Sequence, residues 1–332
     1  MTARPDRPDA ASPRRLLAQL DAGTAISGSE LATRLGVSRA AVWKQVEHLR
    51  AAGLDIEAQA GRGYRLSAPL DLLDADAIRA DLAPATARRL GDLDVFWQID
   101  STSSELLRRA ASGVRDRSVC LAERQSAGRG RRGRAWQMPL GGGLALSMFC
   151  RFDGAMASLA GLSLVAGLAA VDALARCGVD GVGLKWPNDL VARDAKLGGI
   201  LVELGGDALG PCHAVIGVGI NLRLGATAAA IDQRVTDIET LARVPSRNAL
   251  AARLVESLDD RIDTFARDGF AAFAQRYAQC DVLHGREVDV LRANGTQRGI
   301  ARGVDARGAL RVAFADGERS VDSGEVSVRA GA

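Results

Sequence analysis

The sequence predicts an α/β (α+β) protein of three parts: an N-terminal winged helix-turn-helix, a central body of mixed helices and strands, and a small all-β module, most simply a barrel. Three observations carry this. Two short amphipathic helices flank Gly36 and are followed by a glycine-centred hairpin at Gly61-Arg62-Gly63. Apolar strand-like runs then alternate with helical ones to about residue 280. Beyond Leu283 short alternating runs are punctuated by Asn294-Gly295, Arg307-Gly308 and Asp316-Gly317, which are hairpin-turn dipeptides.

Composition sets the bounds. A chain of 332 residues that is 47% hydrophobic and 25% charged is globular and has enough apolar side chains for a large core. A net charge of +3 decides nothing about nucleic acid, so the local distribution must. Five scattered cysteines without a C-x-x-C pair read as reduced thiols of a cytoplasmic protein. The polar N-terminus MTARPDRPDAASPRR has no apolar signal core. The most apolar stretch, 155–176, contains Ser158, Ser163, Asp172 and several glycines and reads as a buried helix, so no membrane span is expected.

In order, residues 1–13 are Pro-rich and charged, a disordered tail. Residues 14–67 form the winged unit. A first helix starts at Arg14, and Ser27-Gly-Ser-Glu30 fits a capping box in which Glu30 reaches back to the cap. Leu31 and Leu35 mark one face, Gly36 breaks the helix, and Ser38 caps a third helix with Val42, Val46 and Leu49 inward. A strand at 54–58 and its return through Tyr64-Arg65-Leu66 make the wing. Ser38, Arg39 and Lys44 are the candidates for the DNA groove, and Arg62 and Arg65 for the phosphate backbone. A three-helix domain that binds protein, or merely packs, has the same pattern. Residues 68–82 are read as a linker and short helix.

The central body, 83–280, carries the chemistry. A strand at 95–99 runs into Asp100-Ser101-Thr102-Ser103-Ser104-Glu105, where hydroxyls and backbone N–H groups either form a polar cup or simply cap a helix at 105–111. Next comes AGRGRRGRAW, residues 127–136. Arg129, Arg131, Arg132 and Arg134 alternate with Gly128, Gly130 and Gly133, a bendable backbone studded with forks for phosphate or carboxylate oxygens. A basic surface loop or an RNA-binding tract is the alternative, but strand-like runs at 118–122 and 144–150 enclose this one. Trp136 either covers a base or packs into the core. In GLKWPNDL a turn gathers Lys185 and Asp189; the latter helps hold Mg2+, orients a basic group, or stabilises the turn. Lys196 starts a strand beside Gly198 and Gly199. In HAVIGVGINL, Gly217 and Gly219 share a face, leaving either a slot for a flat ligand or room for strand crowding. Ser246 caps a helix with Leu250, Leu254, Leu258, Ile262 and Phe265 on one face.

Three dispersed histidines offer no zinc spacing and no serine relay, and no G-x-x-x-x-G-K-[ST] loop is present. Lysine, arginine, hydroxyls and backbone donors remain. They suit a carboxylate attacking the α-phosphate of a nucleotide, a reaction that needs no enzyme nucleophile.

GRGRRGRAW, KWPNDL, KLGGILVE and VIGVGINL, in this order behind a helix-turn-helix, resemble the bifunctional biotin protein ligase and biotin-operon repressor family (BirA type) over nearly the whole chain. The resemblance implies a mixed-sheet ligase domain of class II synthetase-like type and an SH3-like C-terminal module, residues 281–332. It implies synthesis of biotinyl-5'-adenylate from biotin and ATP with Mg2+, transfer to a lysine of a biotin carboxyl carrier protein, and an adenylate-responsive homodimer on operator DNA. Carried over, Ser101, Thr102, Ser103 and Gln125 meet the biotin ureido end, and Gly217 and Gly219 form the floor. Arg129, Gly130 and Arg131 close on carboxyl and phosphate, and Lys196 binds both in the transition state, with Lys196, Arg129 and Arg131 catalytic. Arg132, Arg134 and Lys185 support phosphates, Trp136 the adenine, and Asp189 a metal. Many members read Ser-Thr-Asn where this chain has Ser101-Thr102-Ser103, so an amide is replaced by a hydroxyl. A ligase whose winged helix does not repress, a lipoate or other acyl-carrier ligase, and a non-catalytic biotin sensor are the alternatives.

Overall fold

The N-terminal helices begin where the sequence supplies caps. In the computed structural model, which describes residues 13–20, 22–292, 295–322 and 327–330, α1 (Pro13–Leu17), α2 (Gly28–Leu35) and α3 (Arg39–Ala51) surround the fully buried Leu31, Val42, Val46 and Leu49. The expected tail 1–13 lies outside the described residues except for Pro13. The Ser27 hydroxyl accepts from the Glu30 amide at 3.1 Å and Ser38 from Ala41 at 3.2 Å. The returning half of the capping box is absent, because the Glu30 carboxylate pairs with Arg34 one turn on, at 2.6 Å. Gly36, at φ +68°, ends α2. β1 (Ile56–Gln59) and β2 (Gly63–Leu66) form the antiparallel wing, with Ile56 opposite Leu66.

The segment read as a linker is bonded along its length to the body. The Asp71 carboxylate accepts from the Arg247 amide, the Leu73 amide donates to Glu123, and the Asp74 amide donates to Asn248. Arg247, only 2% exposed, pairs with Glu123 at 2.7 Å and donates to the Gly143 carbonyl. α4 (Ala75–Ala80), capped by Asp74, is followed by α5 (Pro84–Arg89), which starts on proline and which the sequence reading did not include.

The body comprises β3 (Leu93–Ile99), α6 (Thr102–Ala110), β4 (Val119–Gln125), β5 (Gly143–Phe152), α7 (Leu162–Arg176), β6 (Gly183–Lys185), β7 (Asp189–Ala192), β8 (Ala195–Gly206), β9 (Cys212–Asn221), α8 (Ile238–Leu241), α9 (Arg247–Asp268) and α10 (Ala274–Cys280). Seven strands hydrogen-bond in the order β3-β4-β5-β9-β8-β7-β6, and only β3 and β4 run parallel. Period-two alternation gives the sheet two functions. Leu146, Ile200 and Val218 face the main core under α7 and α9, whereas Phe149 and Val215 pack with Leu106 of α6 on the opposite face. Gly217 pairs with Ser147 and Leu201, and Gly219 with Ala145 and Gly199, so these residues share the α6 face. The long apolar helix of the sequence reading is divided: Gly161, at φ +82°, separates a short turn, Met156–Leu159, from α7, because the Phe270 ring and the Gly308 backbone press against it. Burial pushes the Cys150 thiol up to about 12, which makes it inert at neutral pH.

At the C-terminus β10 (Glu287–Arg292), β11 (Gly295–Val304), β12 (Leu310–Phe314), β13 (Gly317–Val321) and β14 (Ser327–Ala330) form an antiparallel sheet in the order β13-β12-β11-β10-β14. A barrel was expected; among the described residues no ladder joins β13 to β14. Asn294 of the expected Asn294-Gly295 turn lies outside the described residues. Val288, Val290, Leu310 and Val312 extend the main core, and the buried Trp186 indole donates to the Gly308 carbonyl at 3.0 Å. The tail module is thereby fastened to the KWPND turn.

Candidate active site

A cavity of about 380 Å³ opens on the α6 face of the sheet. At one end stands a chain of buried hydroxyls. Ser101 caps α6 by accepting from the Ser104 amide, which starts the helix three residues earlier than the sequence suggested. Thr102 and Ser103 lie 2.8 and 2.9 Å from the Ser147 hydroxyl, and Gln125 accepts from the Thr102 amide at 2.8 Å. Cap and cup are therefore both present: Ser101 does the first, Thr102, Ser103 and Ser147 the second. A hydroxyl donates and accepts, so this cup can meet a group with both functions. Gly217 gives it room, because a Cβ there would lie 2.7 Å from the Ser103 Oγ and force that hydroxyl to shift.

At the other end stand the cations. The loop 127–136 folds back on itself: the Gly130 amide donates to the Arg134 carbonyl at 2.7 Å and the Trp136 amide to Gly128 at 2.8 Å, with Arg132 at φ +57°. Arg131 donates to the Asn188 carboxamide at 3.4 Å. Its burial, then the neighbouring Arg132, lowers its pKa, yet an arginine so placed stays charged at neutral pH. Lys196, 14% exposed, pairs with Asp189 at 2.7 Å. Arg129 meets the Glu203 carboxylate at 2.6 Å.

Ser101, Thr102, Ser103, Gln125, Arg129, Gly130, Arg131, Arg134, Trp136, Lys196, Gly217 and Gly219 all line the cavity. Lys185 lies on edge strand β6 and lines no part of it, and Arg132 stands on the exposed turn of the loop; Asp189 pairs with Lys196, which matches the orientation of a basic group among the readings the sequence left open for it. Trp136 is packed against the sheet. Its indole lies directly on Gly219, where a Cβ would come within 2.5 Å of the ring, and its buried N–H has no partner among the described residues. Asn188, the amide of the KWPND turn, lines the cavity too; sequence reasoning missed Ser147, Asn221 and the segment Ala230, Ile231, Asp232, Gln233 and Val235, all cavity-lining. The Asn221 side-chain carbonyl oxygen is buried without a partner among the described residues while its amide donates to the Thr236 carbonyl, leaving an acceptor for a ligand. A polar residue closing the apolar run VIGVGIN was a legible signal for it; the irregular 225–235 segment gave none.

On the winged unit, the side chains of Arg39, Lys44 and Arg62 are exposed and make no hydrogen bond or ion pair among the described residues. Arg65 is held across the wing by Glu57 at 2.7 Å, and the Ser38 hydroxyl serves its cap, so both are less available to DNA than expected. Trp43, 54% exposed on α3, was not singled out.

The chain is similar to known proteins along nearly its whole length. A model of the Biotin/lipoate A/B protein ligase family matches residues 95–221, an HTH domain model residues 14–65, and a Biotin protein ligase C terminal domain model residues 283–329. The bifunctional ligase/repressor BirA of Salmonella typhimurium is 38% identical over 97% of this chain and 98% of its own length. The chain belongs to the bifunctional biotin protein ligase/repressor family. The biotin–[acetyl-CoA-carboxylase] ligase of Mycobacterium tuberculosis is 38% identical over 66% of this chain and 82% of its own length. Among solved structures, biotin protein ligase from Aquifex aeolicus in complex with biotin and ATP is 27% identical with a TM-score of 0.63, over 72% of this chain and 99% of that one. This chain carries both the cavity and the helix-turn-helix.

Proposed function

We propose that this protein joins biotin to ATP, giving biotinyl-5'-adenylate and pyrophosphate, and passes the biotinyl group to a lysine of a biotin carboxyl carrier protein. One observation carries the reading: a single cavity holds a hydroxyl cup at one end and Lys196 and Arg131 at the other. Biotin has that polarity, with a ureido head that donates and accepts and a carboxylate tail. A carboxylate oxygen bonds to the α-phosphorus as the bond to pyrophosphate breaks; the carrier amine then attacks the acyl carbon and AMP leaves. Both first reactants are anions, so Lys196 and Arg131 cancel their repulsion and stabilise the charge that builds at phosphorus. Holding the two in line contributes about 7–11 kcal/mol. Mg2+ enters with ATP as part of the substrate.

The lipoate reading draws on the shared family model, but the hydroxyl cup and the C-terminal domain model favour biotin. The second role is repression: α3 offers Arg39 and Lys44 to a major groove and the wing offers Arg62 to phosphates. A homodimer on operator DNA fits the free edge of β8, since β7 pairs with it only as far as Gly199. Carrier and operator place the protein in the cytoplasm. Pyrophosphate release with ATP tests the chemistry. Biotin is expected to support it and lipoate not; release with lipoate alone, or with neither acid, overturns the reading.

A further inference from the structure

The cations of the site are not alike. Lys196 and Arg131 face partners on the turn at 185–189, Asp189 and Asn188. Arg129 reaches to a different element, the Glu203 carboxylate on β8, 2.6 Å away, with the two side chains 39% and 22% exposed. By period two Glu203 stands on the same face of β8 as Gly199 and Leu201, which line the cavity. Arg129 in turn bridges Ala135 across the loop, and the Trp136 amide is bonded to Gly128. An anchor at Arg129 therefore fixes both limbs of the loop and the indole that lies on Gly219.

We propose that Glu203 is a positioning residue for adenylate formation: it pins the loop to the sheet through Arg129, so Arg129 acts as an anchor rather than as a fork on the ligand. The Glu203 carboxylate takes up the charge of Arg129, while Arg131 meets the ligand's charge and Lys196 does so by sharing its own between Asp189 and the ligand. Solvent reaches the pair, so its contribution is modest and salt-sensitive. This rests on the ligase reading.

The test is escape of pre-formed, labelled biotinyl-adenylate, chased with unlabelled ligand at concentrations where the chain sediments as a monomer. Glu203→Gln is expected to speed escape about threefold to fivefold and to raise KM for biotin in step, with kcat changed less than about twofold, the range a partly exposed ion pair allows. Glu203→Asp, which keeps the charge, falls between. Arg129→Gln matches Glu203→Gln, and the double variant escapes no faster than Arg129→Gln alone. Added NaCl accelerates escape from the wild type more than from Glu203→Gln. Wild-type escape from Glu203→Gln, or single effects that multiply in the double variant, overturns the pin. An unaltered thermal midpoint for Glu203→Gln shows that the fold is intact. A wild type that forms no adenylate from biotin and ATP instead overturns the ligase reading.

Discussion

At Gly219 the absence of a methyl group lets an indole lie on the sheet. A Cβ there would be 2.5 Å from the Trp136 ring, so the indole must shift to admit one. Overpacking of this kind costs about 1–3 kcal/mol. Gly219→Ala is therefore expected to weaken biotin about tenfold, read by calorimetric titration, with Trp136 displaced; unchanged affinity would mean that the indole does not shape the slot. The paired glycines were legible because a strand's period of two puts Gly217 and Gly219 on one face. The place of Trp136 was not, because it depends on how the loop closes on residues more than eighty positions away. Nor were the true partners of Asp189 and Arg129: a sequence shows a carboxylate in a turn, but not that Lys196 lies 2.7 Å from it.

At the level of elements, the β3–α6 junction sets the cup. Arg108 forks onto Asp100 at 2.7 and 2.9 Å and also reaches Glu105. The hydrogen bond from Arg108 holds the Asp100 carboxyl below its usual value of 3.8. A carboxyl lowered on folding contributes its full stability above the unfolded pKa and loses it as pH falls through the folded one. The stability gap between wild type and Asp100→Asn in urea is thus expected to hold from about pH 7 to 5 and to shrink below about pH 4. Because the pair is partly exposed the gap stays under about 1 kcal/mol; a gap that widens in acid would contradict the assignment. Helices and strands with strong periodicity, such as α3, β9 and α9, were readable from the chain. The 225–235 segment was not, having no period; it joins the site through backbone bonds from Lys196 to Arg234 and from Thr236 to Lys196.

Across the whole molecule the three parts share cores. Leu140, four residues beyond Trp136, is buried among the winged-helix residues, and its amide donates to the Ala52 carbonyl that ends α3. Turn chemistry made each part recognisable in the sequence, while their docking rests on distant pairs such as Arg247 with Glu123 and Trp186 with Gly308. On the proposed reading, what unites them functionally is one cavity built to grip a single acid at both ends. Calorimetric titration of Lys196→Gln with biotin and with its carboxyl-free alcohol tests this most directly. Losing a hydrogen bond to a charged group costs about 1.5–3 kcal/mol. The variant should bind biotin at least about tenfold more weakly than wild type and the alcohol within about twofold; equal weakening of both ligands would contradict a carboxylate held at Lys196.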